Sequence, residues 1–211
     1  DQGTVYSLDS NLVAKICDTQ KIDGDIFLHK LEKNKLSLST NDEFIISINE
    51  ERRNIIRNNH SATHLLNSSL REVLGDHISQ KGSLVNEEKL RFDFTYSDQI
   101  TDSQIEKIEH LVNMTIRADL KSNMEHLSAK DAMQNGAIAL FGERYPENVR
   151  VISFKDEKDE NVLSSMELCG GTHVESTGQI GMFKIISDHS VSLGVKRIEA
   201  ITGKEAEILF S

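Results

Sequence analysis

R-N-I-I-R-N-N-H-S-A-T-H-L-L-N-S-S-L-R-E-V-L-G, running from Arg53 to Gly75, is the stretch whose reading decides the fold. Its apolar side chains recur at helical spacing, with Ile56, Thr63, Leu66, Leu70 and Val73 in one stripe, the pattern of an amphipathic helix. His60 and His64 stand four residues apart, so on that helix they project from the same side, at the edge of the buried face. H-x-x-x-H on a helix is a two-ligand arrangement for zinc. Taken alone, the pair is read equally well as ordinary polar residues at a core boundary.

A second pair lies far downstream in M-E-L-C-G-G-T-H-V (Met166 to Val174), where Cys169 and His173 are again four apart, across Gly170 and Gly171. Thiolate and neutral imidazole are the ligands zinc prefers, and two such pairs make a His-His-Cys-His tetrahedral set. The five other histidines, His29, His77, His110, His126 and His189, have no partner at ligand spacing. The two motifs together favour a metal, with His60, His64, Cys169 and His173 as ligands. The competing reading is a buried free thiol beside a glycine turn.

Around these motifs the chain is 211 residues long, 37% hydrophobic and 27% charged, enough for one large or two smaller domains. No apolar run reaches the length of a membrane span, and Asp1 to Ser10 lack the basic start and apolar core of a signal peptide. A cytoplasmic, membrane-free protein is therefore expected. Cys17 and Cys169 are too few for a disulfide framework, and a thiol near histidines points to metal or catalysis. The absence of an initial methionine suggests a piece cut from a longer protein. The formal net charge of −10 argues against a surface that grips nucleic acid throughout, since phosphate contacts need clustered Lys and Arg. Small basic groups do occur at Arg52, Arg53 and Arg57, at Lys81, Lys89 and Arg91, and at Lys196-Arg197.

Short apolar runs at Val5–Leu8, Leu12–Ile16, Ile26–Leu31 and Phe44–Ile48, broken at Asp23-Gly24 and Asn41-Asp42, predict a small β-barrel over residues 1–52. It is expected to be incomplete on its N-terminal side. The second domain, 53–211, begins with the helix above. A polar loop is expected at Ser79–Ser83, then a one-faced strand over Leu90–Tyr96. Thr101-Asp102-Ser103-Gln104 is a capping box opening a helix with Ile105, Ile108, Val112 and Ile116 on its seam. A short helix is predicted from Ser128 to Gln134, closed by Asn135-Gly136. Strands follow at Val149–Phe154, Val162–Leu168, Ile180–Ser187 and Gly194–Ile201, with Lys155–Asn161 as a charged insert. The class is α+β, with helices over a mixed or antiparallel sheet.

Six segments in order carry a resemblance: H-S-A-T-H (60–64), S-Q-K-G-S-L-V (79–85), L-R-F-D-F (90–94), A-L-F-G-E-R-Y (139–145), E-L-C-G-G-T-H (167–173) and V-K-R-I-E-A (195–200). Together they closely resemble the editing domain of alanyl-tRNA synthetase, from about the start of the helix to the C-terminus. The first fifty residues resemble the small barrel that precedes it, although the family's G-G-Q segment is absent. The same domain occurs in free-standing trans-editing proteins, and a related one in threonyl-tRNA synthetase.

The resemblance implies a zinc-containing aminoacyl-tRNA hydrolase that removes serine or glycine from alanine-specific tRNA, with that tRNA and the remaining domains of the synthetase as partners. It maps the metal ligands to His60, His64, Cys169 and His173. Thr63, Gln80 and Ser83 map to the editing pocket, with Gln80 and Cys169 in catalytic roles, and Arg197 to a group near the tRNA end. A pocket for alanine excludes glycine poorly, so errors must be removed at a second site. Serine is told from alanine only by a polar group, and the Thr63 hydroxyl and Gln80 amide can supply one.

Four protein ligands describe a closed tetrahedron, whereas catalytic zinc usually keeps a position open. Expansion to five ligands, a loosely held ligand, and a zinc that only shapes the pocket all stay open here. Gly170 and Gly171 fit each of these, because they let backbone N–H groups approach an oxyanion. A free-standing trans-editing protein and a zinc-stabilised tRNA-binding module without activity are the alternatives. A metalloprotease is disfavoured, since Ser61 stands where H-E-x-x-H has its glutamate.

Overall fold

Asn49 opens the helix that carries both histidines: its side-chain Oδ1 accepts from the Arg52 N–H, capping helix α1 (Glu50–Leu74). The helix ends at Gly75, whose φ of 113° lies where a side chain is strained. The structure is a computed structural model and describes residues 1–22, 26–32, 39–139, 145–159 and 162–209. The expected Asp23-Gly24 turn, most of the Ala139–Tyr145 motif and the end of the charged insert lie outside the described residues. The chain divides into two compact units, Asp1–Asn54 and Ile55–Ser211.

In the first unit, β1 (Gly3–Ser7), β2 (Leu12–Ile22), β3 (Ile26–Leu31) and β4 (Phe44–Ile48) form one antiparallel sheet in the order β3-β2-β1-β4. Val5, Ala14 and Ile16 are its buried apolar centre. These are the four strands that the apolar runs predict.

The second unit follows α1 with β5 (Gln80–Val85), β6 (Leu90–Thr95), α2 (Asp102–Arg117), β7 (Ser122–Ser128), α3 (Ala129–Gln134), β8 (Asn148–Phe154) and β9 (Ser165–Leu168). A 3-10 turn at Thr177–Ile180, β10 (Phe183–Ser192), β11 (Val195–Thr202) and α4 (Gly203–Ile208) complete it. The strands make two antiparallel sheets, ordered β10-β11-β6-β5 and β7-β8-β9. The class is α+β, as expected. Thr101 and Gln104 form the predicted capping box of α2, and Ser128 caps α3 by accepting from the Asp131 N–H. Among the described residues, no helix is long and apolar enough to cross a membrane.

One apolar core joins α1 to both sheets. Leu65, Leu66 and Leu70 share it with Phe92 and Phe94 of β6, Val112 of α2 and Phe154 of β8. Strand β8 also divides two cores by its alternation: Ile152 and Phe154 belong to this one, while Val149 and Val151 join Ala132 and Leu168 in a second.

The structure differs from expectation in four ways. Every residue from Ser61 to Leu70 is buried, so this half of α1 has no water-facing side; Ser61 and Asn67 bond to neighbouring elements, while Thr63 and Ser69 bond back to helix carbonyls. The polar stretch expected as a loop at Ser79–Ser83 is largely strand β5. As an edge strand it pairs only with β6 and leaves Lys81, Ser83 and Leu84 exposed, so it needs no apolar alternation. The unexpected β7 is also an edge strand, with Asn123 to His126 exposed. Finally, Ile180 sits in the 3-10 turn, and β10 begins after it.

Leu66 is fully buried, so Leu66→Ala is expected to cost about 3 kcal/mol in a urea titration, within the usual range for a buried leucine. Ile55→Ala, at a position 37% exposed, should change stability by less than about 0.5 kcal/mol.

Candidate metal centre

Two elements deliver the four candidate ligands. Helix α1 carries His60 and His64, and the loop that leaves β9 carries Cys169 and His173. The Cys169 sulfur lies 3.4 Å from His60 Nε2 and 3.3 Å from His173 Nε2. One ligand atom from each of the four residues lies within 4.8 Å of all the others. The His60 and His173 rings stack with centroids 4.2 Å apart, and His64 meets both edge-on.

The outer nitrogens show that the set suits a cation. His60 Nδ1 lies 3.1 Å from the Thr172 carbonyl, an acceptor only, so this nitrogen carries the proton and Nε2 keeps a lone pair. His173 Nδ1 lies 3.1 Å from Ser61 Oγ, which also accepts from the Val174 N–H. His64 Nδ1 lies 3.0 Å from Glu167 Oε2 in an ion-pair contact that is not an aligned hydrogen bond. The other Glu167 oxygen accepts from Asn67 at 2.8 Å. Each imidazole therefore presents Nε2 inward and finds a partner outward, the arrangement common around metal-bound histidines. Three imidazole nitrogens and a thiolate fit zinc by donor type.

The sulfur is prepared to be a thiolate. Burial works against its charge, but contacts with His173, His60 and His64 outweigh burial and hold the Cys169 pKa down to about 3. Burial also opposes charge on His64, yet the Glu167 carboxylate and the sulfur push its pKa up to about 10, so in the metal-free chain the ring is a cation and a bound metal would take the place of its Nε2 proton. His173 is held down to about 4, chiefly by burial.

The two glycines of the loop have different duties. A Cβ on Gly171 would fall onto the His60 ring, whereas one on Gly170 would meet nothing within 4 Å. The Gly171 N–H faces the Cys169 sulfur at 3.4 Å, so it is turned toward the ligand and not toward an oxyanion. Arg150 of β8 holds the loop from behind by donating to the carbonyls of Gly170 and Gly171 at 3.1 and 2.7 Å. Ser61, Asn67, Arg150 and Glu167 escaped the reading of the sequence. Ser61, inside H-S-A-T-H, and Glu167, inside E-L-C-G-G-T-H, lay in motif segments there, whereas Asn67 and Arg150 carried no signal.

The other candidate residues are dispersed. Thr63 is buried on α1, and its hydroxyl donates to the Asn59 carbonyl at 2.8 Å. Gln80 lines a cavity of about 270 Å³ together with Asn67, Ser79, Glu167 and Leu168. That cavity therefore shares a wall with the carboxylate beside His64. Ser83 is exposed on β5 opposite Phe92. Arg197 of β11 donates to both carboxylate oxygens of Asp93 on β6, at 2.7 and 2.8 Å, a two-pronged pairing that holds the Asp93 pKa below the usual carboxylate range.

Residues 149–199, which include Cys169 and His173, match the family described as the threonyl and alanyl tRNA synthetase second additional domain. More particularly, the chain is 45% identical over 206 residues to alanine–tRNA ligase of Wolbachia pipientis wMel, covering 98% of this chain and 22% of that one. It is 47% identical over 204 residues to alanine–tRNA ligase of Helicobacter pylori strain J99, covering 97% of this chain and 23% of the relative. The chain is thus homologous along nearly all its length to one segment of alanine–tRNA ligases, the resemblance read from its six motifs. It spans about a fifth of the length of these curated relatives.

Two outcomes are expected here. Gly171→Ala should lose zinc measured by atomic emission after gel filtration, while Gly170→Ala keeps it. Asp93→Asn should lower the thermal midpoint at pH 7. Because the folded-state pKa of Asp93 is depressed, its contribution is complete above the unfolded value of 3.8 and is lost as pH falls through the folded value. The gap between wild type and variant should therefore close in acid.

Proposed function

We propose that this chain hydrolyses the ester joining serine or glycine to alanine-specific tRNA, as the editing part of an alanine–tRNA ligase working in the cytoplasm. Its partners in this reading are the mischarged tRNA end and the remaining domains of the ligase. Zinc would be held by His60, His64, Cys169 and His173. The observation that supports the reading most is that these four ligand atoms converge next to a cavity whose wall includes Gln80 and Glu167. A zinc ion, when bound, supplies Lewis acidity toward an ester carbonyl or a water molecule.

The residues divide the remaining work. The Gln80 amide can both donate to and accept from the hydroxyl of a serine ester, which alanine cannot reciprocate. The Thr63 hydroxyl already donates to a backbone carbonyl, so toward substrate it acts as an acceptor. Gln80 also has the polarity to orient the attacking water, and Cys169, as thiolate, is the anionic member of the ligand set and the second residue given a catalytic part. Ser83 and Arg197 are the proposed outer contacts with the tRNA end. Glycine, lacking a side chain, is admitted by size alone, whereas serine is told from alanine by polar contacts to its hydroxyl.

A second reading is favoured by the count of ligands. Four protein ligands complete a tetrahedron, which is the form of a structural zinc, and the chain would then be a zinc-stabilised tRNA-binding module.

One experiment separates the two. The chain is incubated with seryl-, glycyl- and alanyl-tRNA, with and without a chelator, while helix content is followed by circular dichroism. Editing predicts release of serine and glycine but not alanine, with chelation stopping release. Cys169→Ala should lower zinc content and bring serine release to background. A folded, zinc-loaded chain that leaves seryl-tRNA intact would overturn the editing reading in favour of the binding module.

A further inference from the structure

Among the described residues, Glu167 is the carboxylate that both contacts the ligand cluster and lines the neighbouring cavity. Its residue is 8% exposed, and its two oxygens serve different partners: Oε2 lies 3.0 Å from His64 Nδ1, and Oε1 accepts from Asn67 Nδ2 at 2.8 Å. Asn67 itself is 3% exposed and sits one turn beyond His64 on α1. His64 and Asn67 therefore rise from the same helix on either side of one carboxylate. Glu167 is fixed from its own side as well, because β9 pairs with β8, and Ile152 faces Glu167 in that register.

The other two imidazoles have neutral outer partners, a carbonyl and a hydroxyl. His64 is deeply buried, and among the described residues its outer nitrogen meets no aligned hydrogen-bond acceptor, only this ion-pair contact. A negative charge 3 Å from Nδ1 favours the proton on that nitrogen even without ideal alignment. Nε2 is then the nitrogen that faces Cys169, and the one from which a metal would displace a proton.

We infer that Glu167, steadied by Asn67, is a positioning residue for His64: it keeps the ring proton on Nδ1 so that Nε2 is the metal-binding atom. The inference rests on the metal centre proposed above, and it adds a role to two residues outside the ligand set. Such outer partners typically govern affinity by 10–100-fold. Because Glu167 also lines the cavity, the same carboxylate ties the shape of that wall to the orientation of a ligand.

The test measures zinc affinity by competition with a chromogenic chelator, and the protonated nitrogen of His64 by 15N NMR on the zinc-loaded chain. Glu167→Gln should weaken zinc binding about 10–100-fold and shift or broaden the His64 Nδ1–H signal. Asn67→Ala, which leaves the carboxylate in place, should weaken binding in the same direction by less. If Glu167→Gln fails to fold, Asn67→Ala carries the test alone. A folded variant with wild-type zinc affinity and an unchanged His64 signal would overturn the role of Glu167. Failure of the wild-type chain to bind zinc would instead overturn the metal centre itself, and this inference with it.

Discussion

Three imidazole nitrogens and one sulfur packed within 4.8 Å of one another place a demand on everything around them. Buried polar atoms need partners, and a cluster that points its inner atoms at a shared centre must satisfy its outer atoms elsewhere. Thr172 does this for His60, Ser61 for His173 and Glu167 for His64. These partners come from the loop after β9, from α1 and from β9. The cluster can therefore form only when the helix and the hinge of the second sheet are in register. Arg150 and Gly171 belong to the same requirement: one grips the loop through two carbonyls, and the other lets it lie against the His60 ring.

The burial of α1 follows from the same geometry. A helix serving only as a lid would show a polar face to water, but here Asn59, Ser61, Thr63, Asn67 and Ser69 are all buried. Asn59 donates to the Asn86 carbonyl and accepts from the Thr202 hydroxyl. Asn67 donates to Glu167, and Thr63 and Ser69 turn back onto helix carbonyls. The apolar side of the helix meets Phe92, Phe94 and Phe154 in the main core. The helix is thus an axle with one side for hydrophobic packing and another for fixing ligands. Its polar side chains are costly to bury unless each finds a partner, which ties the stability of this unit to the correct assembly of the site.

This explains which parts of the molecule were legible in the sequence. Spacing alone paired His60 with His64 and Cys169 with His173, because i, i+4 geometry and a two-glycine turn are local properties. Strands β2, β6 and β8 were legible from their apolar runs, and α2 from its Thr101–Gln104 box. The edge strands β5 and β7 were not, since a strand paired on one side and solvated on both faces has no periodicity to read. Nor was the buried polar side of α1, because Ser61 and Asn67 have the composition of a solvated face, and only distant partners show that they are not. Arg150 was hidden for the same reason: its acceptors are carbonyls 20 and 21 residues away, and backbone oxygens leave no mark in a sequence.

Thr63 and Gln80 illustrate how far composition can carry a specificity argument before geometry takes over. As residue types, both offer a hydroxyl or amide to a serine side chain. In the fold, the Thr63 proton is committed to the Asn59 carbonyl, whereas Gln80 opens onto the cavity beside Glu167. Of the two, Gln80 retains a free choice of donor or acceptor, the freedom on which the proposed preference for a serine ester over an alanine ester depends. The carboxylate on the same wall adds a further constraint. A change in the cavity that displaced Glu167 would also disturb His64, so the shape of that wall and the geometry that would hold the metal cannot vary independently.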